Sequence, residues 1–417
     1  MSYSIALVGA GPTAIYSVQA LLKRAIKPSA ITIFERQRRA GQGTPYSANW
    51  ADPNMLANIA SIEIPPLPPR LVDWLSSESE ARLDSFGISR DEIDDRAFYP
   101  RLALGEYLSA QFAALVYLAR SMGIEIEVRT LCTVTDVRIT GEQLTLTVMD
   151  SRKIETKRLF EYVILATGHQ WPADPELRPG YFISPWPASA FARIHNCAVG
   201  IRGTSLSAID AAVALANHHG EFGGTDGNNL QYRAKAATDN FSITMFSRKG
   251  ILPEADFYHP IPYEPLAICN AEAIEQLIAE CGSEGLLDAA FELLLQELTL
   301  ADAHYAAALG LEAQTPEEFC DAYFEQRAQS DPFDWARRNL EEAAKNAELN
   351  FTVSFEPSHR LFCLSLPFLL GQHPFAQCIT SSAEMAEVVA DAIQAAEATK
   401  SAAEGNLLGV GRAVVVA

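Results

Sequence analysis

Apolar and polar positions in the first 35 residues follow the order strand, turn, helix, strand. Residues 5–8 and 30–34 are apolar runs, and residues 15–22 place apolar side chains at helical spacing. Continuous apolar runs are typical of buried strands, and a helix between two of them predicts a parallel β–α–β unit. The chain therefore opens with the beginning of an α/β domain.

The turn in this unit reads Gly9-Ala10-Gly11-Pro12-Thr13-Ala14, a G-x-G-x-x-A pattern. Gly9 makes the tight turn, Gly11 lets a pyrophosphate approach the backbone, and Ala14 is small enough for close packing of helix on strand. A phosphate is expected on the N–H groups at the helix start. Glu35 ends the second strand, where an acid can bind ribose hydroxyls. The order of strand, glycine-rich turn, helix, second strand and terminal acid predicts a dinucleotide site. The alternative is a tight turn in an ordinary α/β protein.

A second unit of the same type begins near residue 198. A strand over residues 198–202 leads into a G-x-S-x-S-A turn that contains Gly203 and Ser205, and a helix is predicted over residues 209–216. Serine hydroxyls and helix N–H groups can hold a pyrophosphate. The next strand ends in Arg248, and bases at that position suit the 2′-phosphate of NADP. Alternatively, these bases pair with surface acids.

The remaining pattern completes a mixed α/β chain. A buried-type strand ends in Ala166-Thr167-Gly168, whose small residues let the backbone pass close to a bound cofactor. The other predicted elements are a helix over 104–122, a hairpin or meander over 124–128, 132–139 and 143–149, a loop over 218–229, helices over 286–300, 316–329, 334–348 and 383–398, and a strand over 362–366.

Three further polar features are candidates for contacts with a cofactor. The loop over residues 36–46 contains three arginines and two glycines, and it either covers phosphates or is a solvated basic turn. Asn58 lies in an apolar run, so we expect a buried amide that bonds to backbone or faces a cofactor. Arg101 lies near a helix start, where it meets either a phosphate or an acidic side chain.

Composition excludes several classes of function. The chain has 417 residues, enough for two domains, and its net charge of −20 argues against nucleic-acid binding and against docking on anionic membranes. None of the seven cysteines forms a C-x-x-C pair, and the histidines show no metal-ligand spacing, so neither a redox disulfide nor a metal site is expected. With no predicted membrane span or signal peptide, we expect a cytoplasmic protein.

Motifs over most of the chain resemble those of a bacterial family of FAD/NAD(P)-binding proteins, related to two-dinucleotide-binding flavoproteins and flavin monooxygenases. The similar stretches are residues 9–16, 43–46, 55–66, 98–101, 105–107, 252–258 and 331–337. The resemblance implies a Rossmann-like FAD-binding domain with an inserted second nucleotide-binding unit and a mainly helical segment. In related enzymes NADPH reduces FAD, and oxygen is then transferred to a small molecule, including amines.

The resemblance also implies roles for individual residues. Glu35 and Thr167 would contact FAD, Arg248 would contact NADP, and Asn58 would face the flavin as the catalytic candidate. The complete set of predicted cofactor-binding residues is Gly9, Gly11, Pro12, Thr13, Ala14, Glu35, Arg36, Gly43, Thr44, Tyr46, Asn58, Arg101, Val134, Ala166, Thr167, Gly168, Gly203, Ser205, Arg248 and Gln377.

These patterns predict an FAD-binding domain over residues 1–190 and 355–400, an NADP-binding-like unit over 191–250, and a mainly helical cap over 251–354. Family members are longer between the 331–337 motif and the final strand, which implies a shortened second domain here. Three functions stay open: an FAD- and NADPH-dependent monooxygenase, a regulatory flavin-binding protein, and an FAD-dependent oxidase or dehydrogenase. The expected partner is a small-molecule substrate, and the oligomeric state is open.

Overall fold

The structure is a computed structural model, and it describes residues 3–140, 143–168, 171–172, 174–223, 231–236, 238–248, 250, 266–281, 285–311, 314–329, 331, 383, 386–387, 389–395 and 397–398. The strands are β1 (Ser4–Val8), β2 (Ala30–Glu35), β3 (Glu125–Thr130), β4 (Thr133–Thr140), β5 (Gln143–Met149), β6 (Glu155–Phe160), β7 (Tyr162–Leu165), β8 (Glu176–Arg178), β9 (Tyr181–Phe182), β10 (Ala198–Arg202), β11 (Gly220–Gly223), β12 (Gln231–Ala234) and β13 (Ser242–Phe246). The helices are α1 (Pro12–Lys23), α2 (Leu71–Ser77), α3 (Glu80–Asp84), α4 (Arg101–Ser121), α5 (Leu206–His219), α6 (Ala271–Cys281), α7 (Leu286–Ala301), α8 (Ala303–Leu309) and α9 (Pro316–Ala328).

Four parallel strands in the order β3-β2-β1-β7 form the central sheet. The apolar runs of β1 and β2 are buried almost throughout, as expected for strands covered on both faces. Helices α1 and α4 bury their apolar residues in one core cluster with Ile5, Leu7, Ile31 and Ile33. The predicted α/β class with a Rossmann-like domain is confirmed.

The second face of the central sheet is covered by an antiparallel sheet of β4, β5 and β6. Leu144, Leu146 and Val148 alternate inward along β5 and pack in one cluster with Ala6 and Phe34 of the central sheet. The predicted meander over 124–149 is therefore wrong in part. Its first strand, β3, instead pairs in parallel with β2 from Ala30↔Glu125 onward. The pattern also missed β6, whose residues are mostly exposed and carry little apolar periodicity.

The second nucleotide unit is described over β10, α5 and β13. Strands β10 and β13 pair in parallel, from Ala198↔Ser242 to Arg202↔Phe246. Helix α5 is longer than predicted, and the expected loop at 218–229 is wrong over its first residues, because α5 continues to His219 and β11 pairs with β12. The ring of His219 is buried and stacks on Phe241 with a centroid distance of 4.0 Å, which anchors the end of α5.

Helices α6 to α9 form the mainly helical segment, and α7 and α9 lie where the sequence predicts helices. Phe291, Leu294 and Leu298 of α7 pack with Phe319 of α9. The buried carboxylate of Glu297 accepts hydrogen bonds from the backbone N–H groups of residues 267–269, at 3.1, 2.5 and 2.8 Å. Burial raises the pKa of Glu297, but these three hydrogen bonds outweigh it and hold the pKa below its usual range.

The described residues between 383 and 398 are helical and pack into the first domain. Arg24 at the end of α1 pairs with Glu387 at 2.7 Å, and the Tyr162 hydroxyl donates to Glu397 at 2.5 Å. The chain divides into two compact units, one of Met1–Cys197, Asp210–Phe241 and Phe375–Ala417, the other of Ala198–Ile209 and Ser242–Pro374. The domain boundaries given above stay a prediction.

One described helix, α4, is long enough, and over its most apolar 18-residue window apolar enough, to cross a membrane. The expectation that no stretch reaches this length is therefore wrong. More than half of that window, 56%, is buried in the structure. Its buried residues include Leu104, Leu108, Phe112 and Leu115, as in the core helix of a globular domain.

Candidate functional site

The glycine-rich turn lies at the carboxyl end of β1, where parallel α/β sheets bind their ligands. Gly9 has φ 105° and its N–H donates to the Phe34 carbonyl at 2.8 Å. A Cβ atom at Gly9 would overlap the carbonyl oxygen of Ala166. A residue without a side chain is thus required at position 9, because the backbone just after β7 passes behind the turn. Gly9 and Ala166, both predicted to lie near the cofactor, are in direct contact.

The start of α1 is open to a ligand. Gly11 is the N-cap, no side chain caps the helix, Pro12 is the first helical residue, and its first turn carries no acid. A Cβ atom at Gly11 would lie 3.2 Å from the Cα of Gly43, and one at Gly43 would lie 2.8 Å from Cδ of Pro12. The two glycines therefore bring two backbone segments together beside an uncapped helix start, which fits a pyrophosphate. Thr13 lies in the first turn, and Ala14 is fully buried against the sheet.

Glu35 ends β2 and reaches back to the same turn. Its Oε2 atom accepts from the N–H of Ala10 at 2.9 Å, and its Oε1 atom accepts from the N–H of Gln37 at 2.7 Å. A carboxylate offers about four lone-pair positions. Glu35 can therefore fix the glycine-rich turn and still accept hydrogen bonds from a ribose, which fits the predicted role.

The arginine-containing loop over residues 36–46, called the basic loop below, packs against α4. Gly41 donates its N–H to the Ala10 carbonyl at 2.8 Å, and a Cβ atom on it would lie 2.6 Å from the Cα of Ser109. Gly43 leads into a short 3-10 helix, Thr44–Tyr46, and the Tyr46 carbonyl lies so close to Gly105 that a Cβ atom there would overlap it. Gly41 and Gly105 thus allow the loop and α4 to approach closely.

Asn58 differs from the expectation of a buried amide. It is exposed, while its neighbours Ala57 and Ile59 are buried. The Ala57 N–H donates to the Tyr99 carbonyl at 2.8 Å, which holds the segment in an extended path that turns alternate side chains inward and outward. The Asn58 amide is thereby presented on the protein surface, where a ligand can reach it.

Arg101, the first residue of α4, contacts an acidic side chain. Its Nη2 atom lies 2.6 Å from Oδ2 of Asp210, and both side chains are largely buried, with 11% and 14% of their surface exposed. The Nε atom of Arg101 donates to the Leu56 carbonyl, and the guanidinium lies over the ring of Trp186. Burial raises the pKa of Asp210, and the charge and hydrogen bond of Arg101 oppose that rise. Of the two predicted partners of Arg101, a phosphate or an acidic side chain, the structure places the acidic side chain of Asp210 beside it.

The second unit repeats the backbone of the first with fewer supporting contacts. Gly203 has φ 125° and donates its N–H to the Phe246 carbonyl at 2.8 Å, as Gly9 does to Phe34. The carbonyl of Ser205 accepts the first hydrogen bonds of α5, and its side chain is exposed. Arg248 follows β13 and is exposed.

The remaining predicted residues lie apart or outside the described part. Val134 is half-buried in β4 and packs on the second face of the sheet. Thr167 and Gly168 are exposed just after β7, beside Gly9. Arg36 is exposed at the end of β2. Gln377 and the residues 252–258 lie outside the described residues. Sequence reasoning missed Glu106, Asp210 and Gly41, although the glycine at 41 and the motif at 105–107 were signals for a close contact.

Residues 6–170 match the profile of the family described as FAD-NAD(P)-binding. Residues 270–357 match a second profile, described as a YdhS-like middle domain. The chain is 43% identical over 349 residues to the protein YdhS of Escherichia coli (strain K12), an alignment that covers 84% of this chain and 64% of that relative. The chain thus spans somewhat less than two thirds of the length of that relative.

Two ornithine hydroxylases are among the solved structures to which the chain is similar at low identity. The ornithine N-hydroxylase of Kutzneria sp. 744 is 16% identical with a TM-score of 0.43, covering 70% of this chain and 63% of that one. The ornithine hydroxylase of Pseudomonas aeruginosa is 15% identical with a TM-score of 0.39, covering 67% and 64%.

The predicted resemblance to FAD/NAD(P)-binding proteins is confirmed by the family match. The prediction of FAD and NADPH as cofactors agrees with the family description, which names FAD and NAD(P). Within the described residues, no group of three or more His, Cys, Asp or Glu side chains is arranged to hold a metal ion.

Proposed function

We propose that the protein is an FAD-dependent, NADPH-using oxidoreductase, and more specifically a flavin monooxygenase that acts on a small molecule. The observation that carries the proposal is the approach of Gly11 to Gly43 at the uncapped start of α1, with Glu35 directly beside it. This arrangement can accept the two charged phosphates and the ribose of one dinucleotide, and it lies inside the FAD-NAD(P)-binding domain.

The residues of the chain bind and orient the cofactor in this proposal. The backbone at Gly11 and Gly43 holds the pyrophosphate, and the carboxylate of Glu35 accepts the ribose hydroxyls. The exposed amide of Asn58 is the polar side chain that we expect to face the flavin. FAD, when bound, supplies the electron transfer between the nicotinamide and oxygen.

The nicotinamide cofactor is assigned to the second unit. The N–H groups at the start of α5 and the hydroxyl of Ser205 would hold its pyrophosphate, next to the turn at Gly203. The exposed guanidinium of Arg248, at the end of β13, would pair with the 2′-phosphate that distinguishes NADPH from NADH. The net charge of −20 supports a small-molecule substrate rather than a nucleic acid. The cytoplasm is the location we propose.

An absorption spectrum of the purified protein, followed by anaerobic addition of NADPH, tests this proposal. We expect flavin bands that bleach with NADPH and return with oxygen, and an amine substrate that is hydroxylated during this cycle. NADPH oxidation no faster than with free flavin would exclude the enzyme. A colourless protein that also fails to take up added FAD would exclude the flavin site itself.

A second candidate is a flavin-binding protein without nicotinamide turnover. The observation that favours it is the short stretch of sequence between the motif at 331–337 and the predicted strand at 362–366. FAD that binds tightly but is reduced by neither NADPH nor NADH would identify this function. Reduction by a small organic substrate alone would instead identify an FAD-dependent oxidase or dehydrogenase.

A further inference from the structure

Glu106 gathers three side chains between α4 and the basic loop. Its Oε1 atom accepts from Nη1 of Arg39 at 2.6 Å and from Nε2 of Gln42 at 2.9 Å. Its Oε2 atom accepts from Nη2 of Arg39 at 3.0 Å and from Nη2 of Arg82 at 2.7 Å. A carboxylate offers about four lone-pair positions, and these hydrogen bonds occupy them. Glu106 is thus a fully engaged acceptor at the base of the loop.

The loop that Glu106 holds ends at the proposed pyrophosphate site. Gln42 is buried and directly precedes Gly43, whose backbone lies against Gly11 and Pro12. The Arg39 guanidinium is occupied in a two-pronged bond to Glu106, so it does not point freely toward a phosphate. The carboxylate of Glu106, on α4, is thus linked through Gln42 to the residue that directly precedes Gly43.

We propose that Glu106 is a positioning residue for the dinucleotide site: it holds Arg39 and Gln42 so that Gly43 stays against the start of α1. This inference rests on the proposed function, because it takes the ligand at Gly11 and Gly43 to be the pyrophosphate of FAD. In this proposal the hydrogen bonds from Arg39 and Gln42 to Glu106 form a clamp that fastens the basic loop to α4. The phosphate is bound by backbone N–H groups and by the start of α1.

The protonation state of Glu106 agrees with this role. The hydrogen bond from Arg39 is the largest influence, and it holds the pKa of Glu106 below its usual range despite partial burial. The carboxylate therefore stays ionised at neutral and mildly acidic pH. Its contribution is present above the ordinary pKa of glutamate and is lost only as the pH falls through the lowered value.

The test compares Glu106→Gln with Glu161→Gln. Glu161 is a matched control because its carboxylate, like that of Glu106, accepts from a glutamine side-chain amide, here that of Gln143, and its pKa is also lowered. It accepts in addition from the backbone N–H of Ser4. Ser4 begins β1, at the end of the strand away from the glycine-rich turn. Both variants lose one carboxylate network in the same domain, but only one network touches the loop.

Two measurements are made on each full-length variant: the Kd for FAD, and amide hydrogen exchange of residues 36–46 without FAD. We expect Glu106→Gln to weaken FAD binding about tenfold, equivalent to about 1.4 kcal/mol, and to speed exchange in the loop. Glu161→Gln should leave both unchanged, even where its melting temperature falls.

Several results would overturn the inference. FAD binding and loop exchange equal to wild type in Glu106→Gln would show that the clamp does not position Gly43. Equal losses in both variants would show general destabilisation. A wild-type protein that binds no FAD would overturn the proposed function, and with it the role of Glu106 toward FAD, while faster loop exchange in Glu106→Gln would still identify the clamp.

Discussion

The two nucleotide units share one backbone pattern and differ in how it is supported. In each, a glycine with positive φ directly follows the first strand and donates its N–H to a carbonyl at the end of the neighbouring strand, that of Phe34 in β2 or Phe246 in β13. Around Gly9, β1 and β2 are buried and β7 lies directly behind the turn. Around Gly203, β10 and β13 alternate between exposed and half-buried residues. A nucleotide turn can therefore be encoded by the same short pattern with very different degrees of enclosure.

The helices of the two units are also held differently. Helix α1 buries large apolar side chains such as Ile15, Tyr16 and Leu21. Helix α5 buries mainly alanines, together with Leu215, and carries the buried ion pair of Asp210 with Arg101. The stability from apolar packing does not depend on the ionisation of a side chain. A buried ion pair, by contrast, is strongly destabilising when one of its two partners is removed. The second unit is thus the more sensitive to a single polar substitution.

The largest expected effect is that of Gly9→Ala. A Cβ atom there overlaps the Ala166 carbonyl in addition to the strain of φ 105°, so we expect a loss of more than about 4 kcal/mol in the free energy of unfolding. At Gly203 the nearest atom to a Cβ is the Ala208 Cβ, at 3.8 Å, so Gly203→Ala should cost only the backbone strain of about 1–3 kcal/mol. Denaturant unfolding of both variants measures the difference, and equal losses would contradict the contrast in enclosure.

The next effect is expected for Arg101→Met. It leaves the Asp210 carboxylate buried without its partner, which costs about 3–5 kcal/mol. Because burial already raises the pKa of Asp210, the loss should be largest above that raised value and should shrink as the pH falls and the carboxylate is protonated. The double variant Arg101→Met, Asp210→Leu should recover most of the stability at neutral pH. A pH-independent loss, or no recovery in the double variant, would contradict the role of the ion pair.

A smaller effect is expected for Glu35→Gln on FAD binding. The amide can accept only one of the two backbone hydrogen bonds, from Ala10 or Gln37, and it weakens the acceptor for ribose. We expect the Kd for FAD to rise about tenfold, which corresponds to about 1.4 kcal/mol. Titration of the apoprotein with FAD measures it, and Glu161→Gln serves again as the control. Unchanged affinity would remove Glu35 from the ribose site.

The smallest effect on stability is expected for Arg248→Ser. The side chain is exposed, so the free energy of unfolding should change by less than about 0.5 kcal/mol. If Arg248 pairs with the 2′-phosphate, the Kd for NADPH should rise about tenfold while that for NADH stays constant. Equal affinities of wild type and variant for NADPH would favour the function without a nicotinamide site.

The elements that short contiguous stretches encode are predictable without the structure. The run at 5–8, the glycines at 9 and 11, the helical spacing after them and Glu35 predict the first β–α–β unit, because strand, turn, helix and end of strand each leave a local pattern. The second unit was predicted in the same way, and its helix was placed within a few residues of its observed bounds.

Contacts between residues far apart in the chain are not predictable from local patterns and emerge only in the folded protein. Arg101 contacts Asp210, which lies 109 residues later, and Glu106 reaches Arg39, 67 residues earlier. Strand β3 pairs with β2 instead of with its sequence neighbours, and Asn58 points outward from an apolar run. Arg101 and Glu106 both belong to α4, so their two contacts depend on how this helix packs against distant segments. Local propensity carries no information about that packing, since the contact energies arise between segments far apart in the chain.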